Sequence, residues 1–366
     1  MSDGRAGDRP TTLADIARTL GVSVGAVSTA LNGRPGVGES LRRTIEQTAA
    51  QMGYSRNRSA VALRTRRSGM VGLLIRNLRN PFFLDLAEGF ERECAAHGTE
   101  VLIGSSDNDL DREQALVRAF ADRAVDALAL APIGGGTAGE SWQMITGAPL
   151  ALINAAQYAP HLSALRIHSD GKTAIETAVH HLLALGHRRI SLVAVQPSAE
   201  ADRTEYFEAA MRSVGLRPGI MLTAGTSWAA VERAVTADRA RGPARRATAL
   251  ITNSDYAAHG VYAAARRLGV DVPGDLSVFG NDDLDTSALL SPPLTTHYID
   301  RRGMGQVAAR ILLEALSAKA PPGGPAQVVL AVSLRLRGST AALPGTAGPH
   351  PQRPDLKQAP PVRRPI

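Results

Sequence analysis

The stretch "LADIARTLGVSVGAVSTALN", residues 13–32, decides how the chain begins. Leu13, Ile16, Ala17 and Leu20 recur at the spacing of one helical face. Thr12 stands where an N-cap is needed, and Asp15, three residues on, puts an acid near the positive end of the helix. Gly21 stops that helix, because glycine takes the left-handed conformation at little cost. Ser23 is then a good N-cap for a second helix, Val24 to Leu31. "NGRPGVG", residues 32–38, reads as a turn-rich loop, and Ser40 is expected to start a third helix with Leu41, Ile45, Ala49 and Met52 on one face, ended by Gly53. Helices this short are not stable in isolation. The segment is therefore either a packed helical hairpin or a device that presents one short helix to a partner.

Working outward, the totals narrow the choice. The chain has 366 residues, 44% of them hydrophobic and 20% charged, which is enough for two or three domains with real cores. No run approaches the roughly 20 apolar residues of a membrane span. Residues 1–10 are polar and lack the apolar stretch of a secretory signal. The single cysteine, Cys94, excludes an intramolecular disulfide framework and a multi-cysteine metal site. These features fit a cytoplasmic protein with no membrane partner.

The charge is placed unevenly. Residues 1–67 hold 11 arginines and no lysine against five acids, a net of +6. The tail from Ala341 is +3, which leaves the middle at −2 of the chain's +7. A basic head on a near-neutral body points to a polyanion partner for the head alone, with a solubilising surface as the plainer account.

After Tyr54 the chain is basic except for an apolar island, Ala60 to Leu63, and reads as a linker able to form about two helical turns. From Met70 the rhythm changes to strands alternating with helices. Residues 70–75, 100–106, 125–132, 149–154, 190–195, 248–252 and 276–280 are strand candidates, and residues 82–97, 113–123, 172–185 and 256–268 are helical ones. Continuous apolar strands separated by helices indicate parallel sheets covered on both faces. So many strands over this length predict two α/β lobes. From Leu343 the composition turns to Pro, Gly, Gln and Arg, and the tail is expected to be disordered, with no leucine heptad for a further oligomerisation helix.

Helix, short turn, helix and third helix form a helix-turn-helix arrangement. Leu13-Ala14-Asp15-Ile16-Ala17, Gly21-Val22-Ser23, Val27-Ser28 and Leu31-Asn32 closely resemble the head of the LacI/GalR family of bacterial transcription regulators. The resemblance continues through Gly53-Tyr54, "NRSAVALRTRR", "VGLLIRNLRNPFF", "HLLALGHRRISLV", "VPGDLSVFGNDD" and "SPPLTT", in the family's order, and covers about residues 11–338. It implies an all-α helix-turn-helix head plus an α/β two-lobed, periplasmic-binding-protein-like core with parallel sheets. The expected domains are a disordered N-terminus (1–10), the head (11–57), a hinge helix or linker (58–68), the effector-binding and dimerisation core (69–340) and the disordered basic tail (341–366). The implied function is that of a repressor acting as a homodimer on double-stranded operator DNA, with no cofactor and no enzymatic activity.

A second helix starting at Ser23 can lie in a major groove with Val24, Gly25 and Thr29 outward. Val24 offers methyl contact suited to a thymine methyl, and Gly25 permits close approach. Ser23, Ser28 and Asn32 can donate to phosphates, which positions without reading sequence, while Ser23 and Asn32 equally suit simple capping. Ala26 and Thr29 depart from the family, which often has Thr and a long polar residue there, so hydrogen-bonding capacity is lost. In this family the linker folds on operator and a leucine wedges into the minor groove. Leu63 occupies that position, followed by Arg64, with packing between domains as its plainer role.

For the core, the resemblance places Phe82 and Phe83 as apolar walls of the ligand cleft, Arg203 as the effector-binding arginine, and Asn253 and Asp282 as partners of ligand hydroxyls. Such a set suits polyols and other small polar ligands, a sugar among them. Trp228 is positioned to stack on a sugar face. The plainer roles are an Arg203–Asp282 ion pair, core packing for the phenylalanines and a helix cap for Asn253. Asn281 and Ile299 depart from the family, which usually has a large apolar residue and a Gln there, and point to an unusual ligand.

An enzyme reading finds less support. "GGGTAG", residues 134–139, matches a dinucleotide fingerprint after a strand, but no acid follows about 20 residues later, so a glycine-rich strand-to-helix loop is the better account. His180, His181 and His187 share no metal-ligand spacing with a carboxylate or cysteine, and no "GxSxG" elbow is present. A pure solute-binding protein would have a signal peptide and no basic head. A non-sequence-specific DNA-binding protein is the remaining alternative.

Overall fold

The computed structural model describes residues 11–54, 67–156, 158–196, 202–224, 227–317 and 327–343. It divides into two compact units, Met1–Ser68 and Gly69–Ile366.

The first unit holds α1 (Leu13–Leu20), α2 (Val24–Leu31) and α3 (Glu39–Gln51). Thr12 and Asp15 form a reciprocal capping box, which satisfies two backbone donors at the start of α1. Gly21 ends that helix at φ +66°, as its place in the sequence predicts. Ser23 caps α2 by accepting from the Ala26 amide at 3.1 Å. The third helix starts at Glu39, one residue before the expected Ser40, with Gly38 as N-cap and no side-chain cap bond. Ile16, Ala17, Val27, Ala30, Ile45 and Ala49 bury one small core, ringed by Leu13, Leu20, Val22, Leu31, Val37, Leu41, Met52 and Tyr54. None of the three helices is long enough alone, and this shared core supplies what isolated propensity lacks.

The second unit begins with β1 (Met70–Ile75), α4 (Pro81–Ala96), β2 (Glu100–Ser105), α5 (Leu110–Asp122), β3 (Leu128–Leu130), α6 (Ala138–Thr146), β4 (Leu150–Ile153) and β5 (Leu165–Ser169). It continues through α7 (Gly171–Ala184), β6 (Ile190–Gln196), α8 (Asp202–Ser213), β7 (Gly219–Ala224), α9 (Trp228–Arg239), β8 (Ala249–Thr252), α10 (Asp255–Leu268) and β9 (Ser277–Phe279). A 3-10 turn (Asp285–Ala288), β10 (Thr296–Tyr298), α11 (Arg301–Ser317), β11 (Gln327–Leu330) and β12 (Ser333–Arg335) complete it.

These elements make two lobes. One has a parallel sheet in the order β11-β5-β4-β3-β1-β2, the other a parallel sheet β7-β6-β8-β9, and β10 and β12 form an antiparallel pair. Strand side chains alternate between the two covered faces. In β1, Val71, Leu73 and Ile75 join the cluster under α4 and α11, whereas Leu74 joins that under α5 and α6. Gly72 leaves room for Phe120, whose ring would lie 2.6 Å from an added Cβ. In the second lobe α9 and α10 cover one face of the sheet, and α7 and α8 cover the other.

The strand candidates are present, mostly shortened at their ends. The candidate 125–132 keeps only Leu128–Leu130. β5, β7, β10, β11 and β12 were not among the candidates. The chain crosses between lobes after β5, between β9 and α11, and after β11. The last crossing carries residues 341–343, expected to belong to the tail, into the second lobe. The Ala341 amide donates to Ser277 Oγ at 3.1 Å, and the Leu343 amide donates to the Leu185 carbonyl at 3.0 Å. The N-terminal stretch 1–10, the hinge residues Leu63 and Arg64, and tail residues 344–366 lie outside the described residues.

Candidate functional site

In the head, the exposed start of α2 presents Ser23, Val24 and Gly25 to solvent, with Val24 47% exposed. Ser28 and Thr29 are half-buried, so the outward surface is shorter than the expected set. The capping roles read for Ser23 and Asn32 are both present. Asn32 donates through Nδ2 to the Ser28 carbonyl at 2.6 Å and to Ser28 Oγ at 3.2 Å, which ties the end of α2 to itself. Ser23 uses its hydroxyl oxygen as an acceptor, leaving the O–H free to donate outward.

In the core, the polar residues gather where the strands of both sheets end at their carboxyl termini, the position at which open α/β sheets bind ligands. Arg203, in the first turn of α8 and 6% exposed, donates to Ser169 Oγ at 3.1 Å and to the Asn253 carbonyl at 3.3 Å. Ser169 ends β5 of the first lobe and Asn253 follows β8 of the second, so one guanidinium touches both lobes. Asn281 and Asp282 follow β9 beside them, since the Asp255 amide donates to the Asn281 carbonyl at 2.8 Å. Asp282 accepts from Asn281 Nδ2 at 3.1 Å and is held at φ +137°. Asp107, Asn108, Asn154 and Asp283 also carry positive φ at strand ends. Such strain persists only where the surroundings enforce it, and it clusters at functional sites.

Three buried polar atoms here have no hydrogen-bond partner: Asn253 Oδ1, Asn281 Oδ1 and His297 Nε2. Buried polar atoms normally find partners, so these are places where a bound molecule would be stabilised. The helix-capping role considered for Asn253 falls instead to Ser254, which accepts from the Ala257 amide at 3.1 Å. Phe82 and Phe83 take the core role. They are 4% and 5% exposed and meet edge to face at 5.3 Å in the first lobe's core, with the Arg76 guanidinium 5.9 Å from the Phe83 ring.

Asp255 and His297 were not singled out by the sequence. Asp255 is fully buried and accepts from the Leu284 amide, Ser287 Oγ and Thr296 Oγ1 at 3.0, 2.5 and 2.6 Å. Desolvation pushes its carboxyl above the usual carboxylate range despite those donors. His297, on β10, lies 5.0 Å from the Phe279 ring. Burial, then the charges of Arg203 and His181, hold its imidazole down to about 4, so it is neutral at pH 7.

A cavity of about 450 Å³ opens between the lobes. Asn77, Arg79, Asp107 and Asn108 line it from one side, and Ser227, Trp228 and Tyr256 from the other. Trp228, expected to stack on a sugar face, is on this wall. The four residues of the opposite wall follow strand ends in "NLRN" and "DND" turns, a signal that marks loops without saying what they face.

Of the glycine-rich segment 134–139, residues 134–137 form a loop with Gly134 and Gly135 at positive φ, and Ala138 and Gly139 begin α6. His187 is spent on Thr248, Ser277 and Ala341, each at 3.0 Å, and His181 on Thr340 at 2.9 Å. Among the described residues no group of three His, Cys, Asp or Glu is placed to hold a metal ion, and no helix is long and apolar enough to cross a membrane. Cys94 is buried, and desolvation pushes its thiol up to about 12.

Comparison with known proteins agrees with this architecture. Residues 12–57 match the model of bacterial regulatory proteins of the lacI family, and residues 179–340 that of a periplasmic binding protein-like domain. The HTH-type transcriptional regulator MalR of Streptomyces coelicolor is 33% identical over 350 residues, covering 92% of this chain and 99% of its own. The HTH-type transcriptional repressor CytR of Escherichia coli K12 is 27% identical, covering 91% and 97%. The lac repressor dimer bound to operator and the anti-inducer ONPF shares the fold at a TM-score of 0.79, with 24% identity over 91% of this chain and all of that one. A complex of the regulator CelR with cellobiose gives 0.65 and 22%, covering 90% and 100%. The chain belongs to the LacI family, and it is a DNA-binding transcriptional regulator.

Proposed function

We propose that the protein is a repressor whose grip on a pseudopalindromic operator is controlled by a small polar, sugar-like ligand in the cleft of the core. Two copies, paired as a homodimer in the cytoplasm, present two heads to successive major grooves. Ser23, Val24, Gly25, Ser28, Thr29 and Asn32 meet the DNA in each half-site. Leu63, with Arg64, wedges the hinge into the minor groove at the operator centre. Arg203, Asn253 and Asp282 hold the ligand, while Phe82 and Phe83 pack in the core of the first lobe. No cofactor enters the reading.

The observation that carries it is the Arg203 guanidinium touching Ser169 of one lobe and Asn253 of the other, amid buried polar atoms that lack partners. A ligand bound there contacts both lobes and so favours one lobe arrangement over another, which is what coupling to the DNA requires. The relatives named as regulators, the operator-bound lac repressor dimer and the cellobiose-bound CelR support this reading.

The test is selection of bound duplexes from a randomised pool at physiological salt, without ligand. Enrichment of a short palindrome, lost in Leu63→Ala while salt-sensitive nonspecific binding survives, supports it. If Leu63→Ala loses both kinds of binding alike, the wedge is wrong. Operator affinity that no cleft ligand alters would refute the regulatory coupling.

A further inference from the structure

The second lobe gathers its cleft residues at the carboxyl ends of its strands and a set of arginines at the opposite end. Its sheet is parallel, so the chain enters every strand on one side. Arg217 stands two residues before β7, Arg188 and Arg189 stand directly before β6, and Arg245 and Arg246 precede β8. The pairings of Ser191 with Gly219 and of Ile190 with Ala249 align these three entries, with neighbouring strands about 4.8 Å apart. Arg189 Nε donates to the Arg246 carbonyl at 3.0 Å, which joins two of the loops. Arg241, in the turn that leads from α9 to β8, extends the row. Arg246 is half-buried and the other five are exposed.

Local structure accounts for part of this set. Arg188 Nη1 donates to the Leu183 carbonyl at 3.1 Å and so satisfies the end of α7. Arg241 lies 3.8 Å from Asp238, a buried acid already paired with Arg239 at 2.7 Å. Among the described residues, the side chains of Arg217, Arg245 and Arg246 form no hydrogen bond or ion pair. The exposed acids Asp271 and Asp275 lie before β9, on the far side of β8. Between the basic head and the tail the chain is −2 overall, so these arginines are a local excess of positive charge. The described chain also ends beside them, the Leu343 amide bonding the Leu185 carbonyl, and residues 344–366 add a net +3.

A protein partner would need aromatic or aliphatic anchors at the centre of its contact. On the loops that carry these arginines, Val214 is the one large apolar side chain that is exposed among the described residues. Guanidinium forks without apolar anchors suit phosphate oxygens, which they meet two at a time. We infer that this arginine face is a second DNA-binding surface, one that takes the phosphate backbone of double-stranded DNA without reading its sequence. It belongs to the core and not to the head, lies at the opposite end of the strands from the cleft, and is independent of the effector reading.

Phenylglyoxal modification of the full-length protein, read at each arginine by mass spectrometry, tests it with and without an excess of random-sequence duplex at about 50 mM salt. Modification of Arg217 and Arg245 is expected to fall roughly threefold or more, alongside that of Arg18, Arg34 and Arg43 in the head. Protection of the head alone overturns the proposal. Protection of Arg217 and Arg245 by polyglutamate but not by the duplex overturns it in favour of an acidic protein. In salt titrations with the same duplex, Arg217→Ser/Arg245→Ser should lower the slope of log affinity against log salt by about 2, at about 0.9 per lost phosphate contact. The matched pair Arg118→Ser/Arg123→Ser, exposed on α5 of the first lobe, should leave the slope at the parent value. Equal slopes for the two double variants would leave nothing beyond net charge and overturn the site.

Discussion

Arg301, at the start of α11, donates through Nε to Asp85 Oδ2 on α4 at 2.7 Å, and its Nη1 reaches the Asp282 carbonyl and, at 3.0 Å, that of Asp283. One buried guanidinium thus fastens the strained turn after β9 to a helix of the first lobe. Without Arg301 the Asp282 and Asp283 carbonyls lose a charged donor, whereas Asp85 keeps Arg302 Nη2 at 3.1 Å, so the loss amounts to about 1–3 kcal/mol. Arg301→Ala is expected to destabilise the core by about that amount, read from urea unfolding midpoints. A loss below about 1 kcal/mol would show that the turn holds itself.

The helices α4 and α11 approach as closely as their backbones allow. A Cβ on Gly305 would lie 2.0 Å from the Leu86 carbonyl oxygen, and one on Gly89 would lie 2.1 Å from that of Arg302. Backbone cannot give way as a side chain can. Gly305→Ala is therefore expected to cost about 1–3 kcal/mol by forcing the helices apart. Gly242→Ala, where an added Cβ meets nothing within 4 Å, should stay within about 0.5 kcal/mol of the parent. Equal midpoints for the two variants would contradict the close approach.

His297 ties stability to pH. Its pKa falls from an ordinary 6.5 in the unfolded chain to about 4 in the folded one. Between those values the unfolded state binds the extra proton, so stability is present above pH 6.5 and is lost as pH falls toward 4. The contribution amounts to roughly 3 kcal/mol across that window at 1.36 kcal/mol per unit. His181, His187 and His259 are shifted the same way. The expected result is therefore a shallower pH dependence in His297→Leu, by up to one proton, and not a flat one. Parallel curves of urea midpoint against pH would sink this assignment.

Ser23 allows capping to be separated from DNA contact. Its hydroxyl accepts from the Ala26 amide, so Ser23→Ala should cost the head about 1 kcal/mol, whereas glycine at the same position costs only a few tenths. If the hydroxyl also donates to a phosphate, Ser23→Gly keeps near-parent stability yet weakens binding to all DNA sequences alike. Denaturation and salt-controlled DNA titration on the two variants distinguish the roles. Full binding by Ser23→Gly would leave capping alone.

Much of this architecture is written locally. The capping box at Thr12 and Asp15, the stop at Gly21 and the cap at Ser23 are contacts between residues three or four apart, so the helix-turn-helix can be read directly. The predominantly apolar strands β1, β4 and β8 announce two covered parallel sheets for the same reason: strand burial on both faces is read from composition. β5 was missed because Arg166 and His168 break its apolar run. Yet Arg166 is buried, donating to the carbonyls of Ala155, Tyr158 and Ala159. β11 was missed because its pairing partner, β5, lies far back along the chain.

The polar centre of the core needed the tertiary structure. Arg203 meets Ser169 and Asn253 only because the chain crosses between lobes three times, and the aromatic wall of Trp228 and Tyr256 faces Asn77 and Asn108 only because two lobes close on one cavity. Hydrogen bonds within a turn are fixed by residue spacing, so sequence alone decides caps, turns and strand character. Which polar atoms end buried without partners depends on packing between residues tens to hundreds of positions apart, and only the folded chain decides that.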